Sequence, residues 1–165
     1  MAAGATYEPI ANNTLGSAVS TVTFSSISGS YTDLIIIANI KSSVNSNIFM
    51  QFNSDTATNY SRTILSGTGS SVTSARNSNI AKIYLDYNAF ATTNFDNTKI
   101  IQIMNYSKTT TNKTCLVRSG TSTNGIDAIV GMWRNTAAIT SILLTNESGN
   151  FSIGSSFTLY GIVAA

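Results

Sequence analysis

The sequence predicts an all-β protein: an antiparallel β-sandwich, jelly-roll-like, with eight to ten strands. Charged residues make up only 10% of the 165 residues, against about 25% in a typical soluble protein. Polarity comes instead from 24 Ser, 23 Thr and 18 Asn, which suit strands and turns better than helix surfaces. Short apolar runs bounded by Gly, Ser, Asn or Asp recur along the chain, as expected for strands joined by turns.

The individual runs support this fold. The run DLIIIANIK (33–41) is apolar on both sides and predicts a central strand, because β-branched isoleucines favour extended backbone. The run SFTLYGIV (156–163) alternates between two faces, as a half-buried strand does. The segment 74–87 is less regular and allows one helical turn before its strand. The candidate strands, in order, are 19–25, 33–41, 47–53, 60–65, 80–86, 99–106, 113–119, 128–134, 139–145 and 156–163.

The chain shows no charge-rich linker and no abrupt change of composition. We therefore predict a single β-sandwich domain over residues 15–165, preceded by an N-terminal arm over residues 1–14. Jelly-roll topology is favoured because its eight strands match the count, whereas immunoglobulin-like sandwiches need about 100 residues and seven strands. The N-terminal residues lack the pattern of a signal peptide, and no apolar run approaches the length of a membrane span.

The residue inventory argues against catalysis. The chain has no histidine, which removes the commonest general base and excludes Ser-His-Asp and Cys-His arrangements. Cys115 is the only cysteine, and its apolar surroundings predict a small buried side chain. The seven acidic residues mostly lie at run boundaries, where Asp forms turns. We predict that the protein is not an enzyme and has no catalytic residue and no cofactor.

The sequence also gives little evidence for a ligand-binding site. The loops 52–59 and 86–97 are rich in Asn and Asp oxygens, which calcium prefers, but neither matches the EF-hand pattern. We expect no metal site, with a bound cation as an alternative. The nine basic residues are scattered, which is unlike the dense basic stripe of a nucleic-acid-binding protein. We therefore expect neither nucleic acid nor a membrane as a partner.

Trp133 is the only tryptophan in the chain and is followed by Arg134. In the run AIVGMWR, Trp133 shares one face of a strand with Ile129 and Gly131. A tryptophan on a strand most often packs in a core or a subunit interface. We interpret the pair as structural, with Arg134 at the strand end reaching water or a partner.

Three segments resemble a group of tailed-bacteriophage structural proteins. They contain an opening YEPI, a TFSSI turn and the stretch FNSDTATNYS, and they close with GNF, GS and the strand LYGI. The similar segments cover about half of the chain: 7–40, 51–65 and 131–162. The resemblance implies a virion structural role on a β-sandwich and brings no catalytic residue.

On this basis we expect a capsid decoration (cement) protein, located on the surface of the phage head. It would bind the major capsid protein and form a homotrimer. One alternative is a tail or fibre component that binds the host surface. The other is a carbohydrate-binding sandwich, in which Tyr84, Tyr87, Phe90 and Phe95 would stack on a glycan. Our candidates for partner contacts are Tyr7, Pro9, Ile10, Trp133 and Arg134.

Overall fold

Twelve strands and no helix make up the described part of the chain, residues 6–94 and 96–163, in a computed structural model. The all-β prediction is confirmed, although the strand number exceeds the predicted eight to ten. The strands are β1 (Tyr7–Thr14), β2 (Thr21–Phe24), β3 (Asp33–Ile40), β4 (Ile48–Phe52), β5 (Tyr60–Gly67), β6 (Val72–Ile80), β7 (Ile83–Tyr84), β8 (Asn97–Met104), β9 (Lys113–Thr121), β10 (Gly125–Trp133), β11 (Ile142–Asn146) and β12 (Ser156–Ile162).

The strands form two antiparallel sheets of unequal size. The larger sheet has eight strands in the order β1-β12-β3-β8-β9-β10-β5-β6, and the smaller has four in the order β2-β11-β4-β7. This division is consistent with a β-sandwich, but the jelly-roll topology is not confirmed. Strands β8, β9 and β10 are neighbours in both chain and sheet, so the middle of the large sheet is a simple meander.

Part of the segment predicted as an N-terminal arm belongs to the sheet. Strand β1 pairs with β12 along its length, from Tyr7 opposite Ile162 to Thr14 opposite Ser156, with a register shift near Pro9. The arm prediction is therefore wrong for Tyr7–Thr14, which form an edge strand of this chain's own sheet. Residues 1–5 of the predicted arm lie outside the described residues.

One hydrophobic core fills the space between the sheets. Strand β3 contributes Leu34 and Ile36 from the large sheet, and strand β11 contributes Ile142 and Leu144 from the small one; all four are fully buried. Most strands turn alternate residues to this core, because successive side chains in a strand point to opposite faces. The residues between them face outwards.

Gly131 allows close packing between the sheets. A Cβ atom there would lie 2.7 Å from the Cys115 sulfur and 2.9 Å from a methyl carbon of Ile83. Cys115 itself is buried, as predicted, and burial raises the pKa of its thiol to about 12. The thiol therefore acts as a small apolar group in the core.

Gly131→Ala is expected to lower the free energy of unfolding by about 1–3 kcal/mol, because the added methyl group overpacks the core. Chemical denaturation would measure this. Gly16→Ala is the matched control, since nothing lies within 4 Å of a Cβ atom at that position. Equal stabilities of the two variants would contradict the packing explanation.

Candidate interaction face

The face of the large sheet that points away from the core carries a group of exposed apolar side chains. We define the outer face as the outward-pointing residues of strands β8, β9, β10, β5 and β6. On β8, β9, β10 and β5 these are the residues between the buried ones, because side chains alternate. On β6 they are the residues paired with the outward residues of β5. They are Thr98, Ile100, Gln102, Met104, Thr114, Leu116, Arg118, Gly120, Ile126, Ala128, Val130, Met132, Ser61, Thr63, Leu65, Gly67, Val72, Ser74, Arg76 and Ser78.

Large apolar side chains are concentrated on this face. Val72 is 76% exposed, Ile126 is 68% exposed and Leu65 is 56% exposed. Leu116, Val130 and Met132 on the same face are also exposed. Single exposed apolar residues are common on protein surfaces, but a contiguous group of this kind marks an interaction site.

The strand register places these residues side by side. One row crosses the sheet through Ile100, Arg118, Ala128 and Leu65, which are direct neighbours on successive strands. Ile37 of β3 lies opposite Ile100 and extends the row. A second row runs from Gln102 through Leu116 and Val130 to Thr63. Adjacent apolar residues on one face form a continuous surface rather than isolated spots.

Two shallow hollows occupy the outer face. One, of about 570 Å³, is lined by residues that include Leu116 and Val130. The other, of about 550 Å³, includes Ile126. Glycines form part of the second hollow: Gly120 and Gly67 lie on either side of Ile126 and carry no side chain. The hollows share three lining residues, Leu65, Arg118 and Ala128.

Arginines supply the only charges of the outer face. Arg118 lies in the central row and lines both hollows, and Arg76 lies on the edge strand β6. Neither guanidinium has a hydrogen bond or an ion pair within the described residues. Because no acidic residue belongs to this face, the apolar surface carries net positive charge.

Beneath the outer face, a buried polar network attaches the segment 84–92 to the same strands. The Lys99 ammonium lies 2.9 Å from an Asp86 carboxylate oxygen and 2.7 Å from the Ser119 hydroxyl oxygen, and both charged side chains are fully buried. The Asp86 carboxylate also accepts a hydrogen bond from the Ile48 backbone N–H. Burial raises the pKa of Asp86, and the Lys99 charge opposes this only in part.

Asp127 has a similar role on β10. Its carboxylate accepts hydrogen bonds from the backbone N–H groups of Tyr87 and Ala89 at 2.6 and 2.8 Å, and from the Ser66 hydroxyl at 2.5 Å. These bonds join β10, β5 and the segment after β7. The network uses the inward residues of the strands whose outward residues form the outer face, and it therefore holds that face in a fixed shape.

Trp133 is buried, which corrects its assignment as a partner contact. Its ring is 1% exposed and stacks with Tyr60 at a centroid distance of 6.2 Å. The indole N–H donates to Asp55 at 2.7 Å. Arg134 is exposed but donates to the Thr58 carbonyl and to Asn79. The pair therefore orders the loop between β4 and β5, in keeping with a structural interpretation.

The three other candidate residues lie on β1, at the far edge of the large sheet from β6. Tyr7 is exposed and packs edge-to-face on Tyr160 at a centroid distance of 6.4 Å. Pro9 is exposed, whereas Ile10 is half-buried and packs against the core. The structure thus leaves Tyr7 and Pro9 accessible and turns Ile10 inwards.

The three described aromatic candidates for glycan stacking, Tyr84, Tyr87 and Phe90, do not form one exposed platform. The Tyr84 ring is contacted by the Arg62 guanidinium and the Lys82 ammonium, each 4.8 Å from the ring centroid. Tyr87 is exposed and Phe90 is half-buried, while Phe95 lies outside the described residues. The Tyr84 ring, a candidate for stacking on a glycan, therefore already contacts two cations of its own chain.

No group of three or more His, Cys, Asp or Glu residues in the described part of the chain is placed to hold a metal ion. The described residues also contain no helix of the length and apolarity needed to span a bilayer.

Comparison with known proteins identifies no relative. No protein-family model, curated protein or solved structure matches the chain.

The outer face was only partly visible in the sequence. The run AIVGMWR places Ala128, Val130 and Met132 opposite the core face, so it indicates that β10 is apolar on both sides. A strand that is apolar on both sides predicts burial of both. What the sequence did not indicate is that the smaller sheet covers one side only.

Lys99→Met is expected to lower the free energy of unfolding by about 3–5 kcal/mol, because it leaves the Asp86 carboxylate buried without its cation. The double variant Lys99→Met/Asp86→Asn removes both charges and retains an acceptor for the Ile48 N–H, so it should be more stable than the single variant. Chemical denaturation of the three proteins would check this. A double variant less stable than Lys99→Met would contradict a coupled pair.

Acid is expected to weaken the loop that Trp133 orders. Burial raises the pKa of Asp55, but hydrogen bonds from Asn59, the Ala57 N–H and Trp133 outweigh it, and the pKa lies below its ordinary value of 3.8. A lowered pKa contributes stability above 3.8 that is lost as the pH falls through the folded value. Trp133 fluorescence should therefore change below about pH 4. In Asp55→Asn this change should be absent, and an unaltered acid transition would contradict the assignment.

Proposed function

We propose that this chain is a non-enzymatic structural protein of a tailed-phage virion that decorates the head, binding the assembled major capsid protein and stabilising it. The outer face is the observation that carries the proposal. An open, apolar sheet face with a polar margin has the composition of a protein-binding surface. The resemblance of the terminal segments to phage structural proteins supplies the virion context.

The charge composition supports a role in an assembly. Of the two ion pairs in the described residues, Lys99–Asp86 is internal and only Lys82–Glu147 lies near the surface. Serine, threonine and asparagine cover much of the remaining surface, and they are cheaper to desolvate at a contact than ions are. Modest binding at each contact becomes strong attachment when many copies bind one shell and contact each other.

The chain is further proposed to act as a homotrimer. Tyr7 and Pro9 are exposed on the edge strand β1 and are available for contacts between copies. Proline offers no backbone N–H, so a neighbouring strand cannot simply extend the sheet there. Contacts at this edge would therefore use side chains, and they would leave the outer face free for the capsid.

Antibody labelling of intact particles tests the location. We expect label distributed over the head in negative-stain images. Label confined to the tail would favour the tail or fibre alternative. Binding on a glycan array that is lost in Tyr87→Ala would favour the carbohydrate-binding alternative, since Tyr87 is the most exposed of the described aromatic candidates.

A further inference from the structure

We propose that the outer face docks onto a capsid surface that is itself apolar and presents a carboxylate, from Asp or Glu, to Arg118. This inference rests on the proposed function and specifies its chemistry. Apolar side chains of the partner would fill the two hollows, and the carboxylate would lie between them. The position of Arg118 as a lining residue of both hollows is the observation that leads to this arrangement.

The Arg118 guanidinium can donate hydrogen bonds to such a carboxylate. It carries five N–H donors, and none of them makes a hydrogen bond within the described residues. Two of the other three arginines are used internally: Arg62 donates to the Tyr84 and Asp86 carbonyls, and Arg134 donates to Thr58 and Asn79. Arg76 also lacks an internal partner among the described residues, but it lies on the edge strand β6 and lines neither hollow. Arg118 is therefore a charged donor group that the fold itself does not require.

The surroundings of Arg118 make a carboxylate the complementary group. Ile100 and Ala128 are its direct cross-strand neighbours, and Leu65 follows Ala128 in the same row. When a partner covers this row, water is excluded and the cation needs an anion to replace its hydration. Guanidinium and carboxylate form two parallel hydrogen bonds, which gives the pair both energy and defined orientation.

A second copy of the chain is a poorer occupant of this face. In a two-fold symmetric contact, residues near the axis meet their own copies. If two outer faces paired through their central rows, the Arg118 side chains of the two copies would approach each other in an apolar contact. The outer face has no acidic residue to neutralise these two positive charges. The charge of the face therefore favours a different protein as the partner.

Binding of the purified chain to phage shells that lack it tests the inference, measured as a dissociation constant by co-sedimentation. We expect Arg118→Glu to weaken binding by about 100-fold or more, and Arg118→Leu by about 10-fold. Lys41→Glu is the matched control: it reverses a charge on an exposed residue outside the outer face and should change binding less than about threefold. Trp133 fluorescence and the thermal unfolding midpoint should be unchanged in all three, because Arg118 makes no internal bond.

The possible failures are distinct. If the wild-type chain does not bind shells, the proposed function is wrong. If the wild type binds but Arg118→Leu binds as tightly or more tightly, the contact lacks a carboxylate and this inference is overturned. Sedimentation velocity of the free chain provides a second check. An oligomer that Val130→Asp dissociates would show that a second copy occupies the outer face, and would also overturn the inference.

Discussion

The buried contact between Lys99 and Asp86 is the interaction on which the arrangement of the large sheet depends. Lys99 lies on β8 and Asp86 in the segment that follows β7, so the pair joins the middle of the large sheet to the end of the small one. Removing two charges from water is costly, and the cost is recovered only when every donor and acceptor has a partner. Ser119, the Ala89 carbonyl and the Ile48 N–H complete the set here.

This polar interior has a consequence for the outside of the molecule. Lys99, Ser119 and Asp127 occupy inward positions on β8, β9 and β10, while the outward positions between them carry Ile100, Arg118 and other residues of the outer face. In this region polar side chains therefore lie inside and apolar ones outside, the reverse of the usual order. A sheet held by internal hydrogen bonds can present apolar side chains to a partner without relying on them for its own stability.

The sequence predicted the class of fold well because strand signals depend on local patterns. Runs such as DLIIIANIK are strands in any β context, and each of the ten predicted runs overlaps an observed strand. The two strands that were missed, β1 and β6, are the edges of the large sheet. Their sequences, YEPIANNT and VTSARNSNI, are polar or interrupted by proline, because an edge strand gains hydrogen bonds from one neighbour and needs little apolar burial.

The candidate site was less predictable because it depends on which faces the fold covers. The burial of Trp133 fits its interpretation as structural but not its assignment as a partner contact. Its hydrogen bond to Asp55 depends on how the loop between β4 and β5 folds back, which the sequence does not indicate. Lys99 appears in the sequence as one of several scattered lysines, and only the fold places it next to Asp86, thirteen residues earlier in the chain. Arg118 likewise has no sequence signature, since an arginine in an alternating run is usually a solvated side chain.

The difference between Lys99 and Arg118 shows how position decides the role of a cation. The two are on adjacent strands and point to opposite faces of the sheet. Lys99 pairs with the Asp86 carboxylate of its own chain and so has a structural role. Arg118 meets no carboxylate among the described residues, and its planar donor group stands within an apolar row that a partner can cover. A buried cation needs an anion in either case. In a complex that covers this row, a carboxylate of the partner would therefore pair with Arg118 on the outer face, as Asp86 pairs with Lys99 on the inner face.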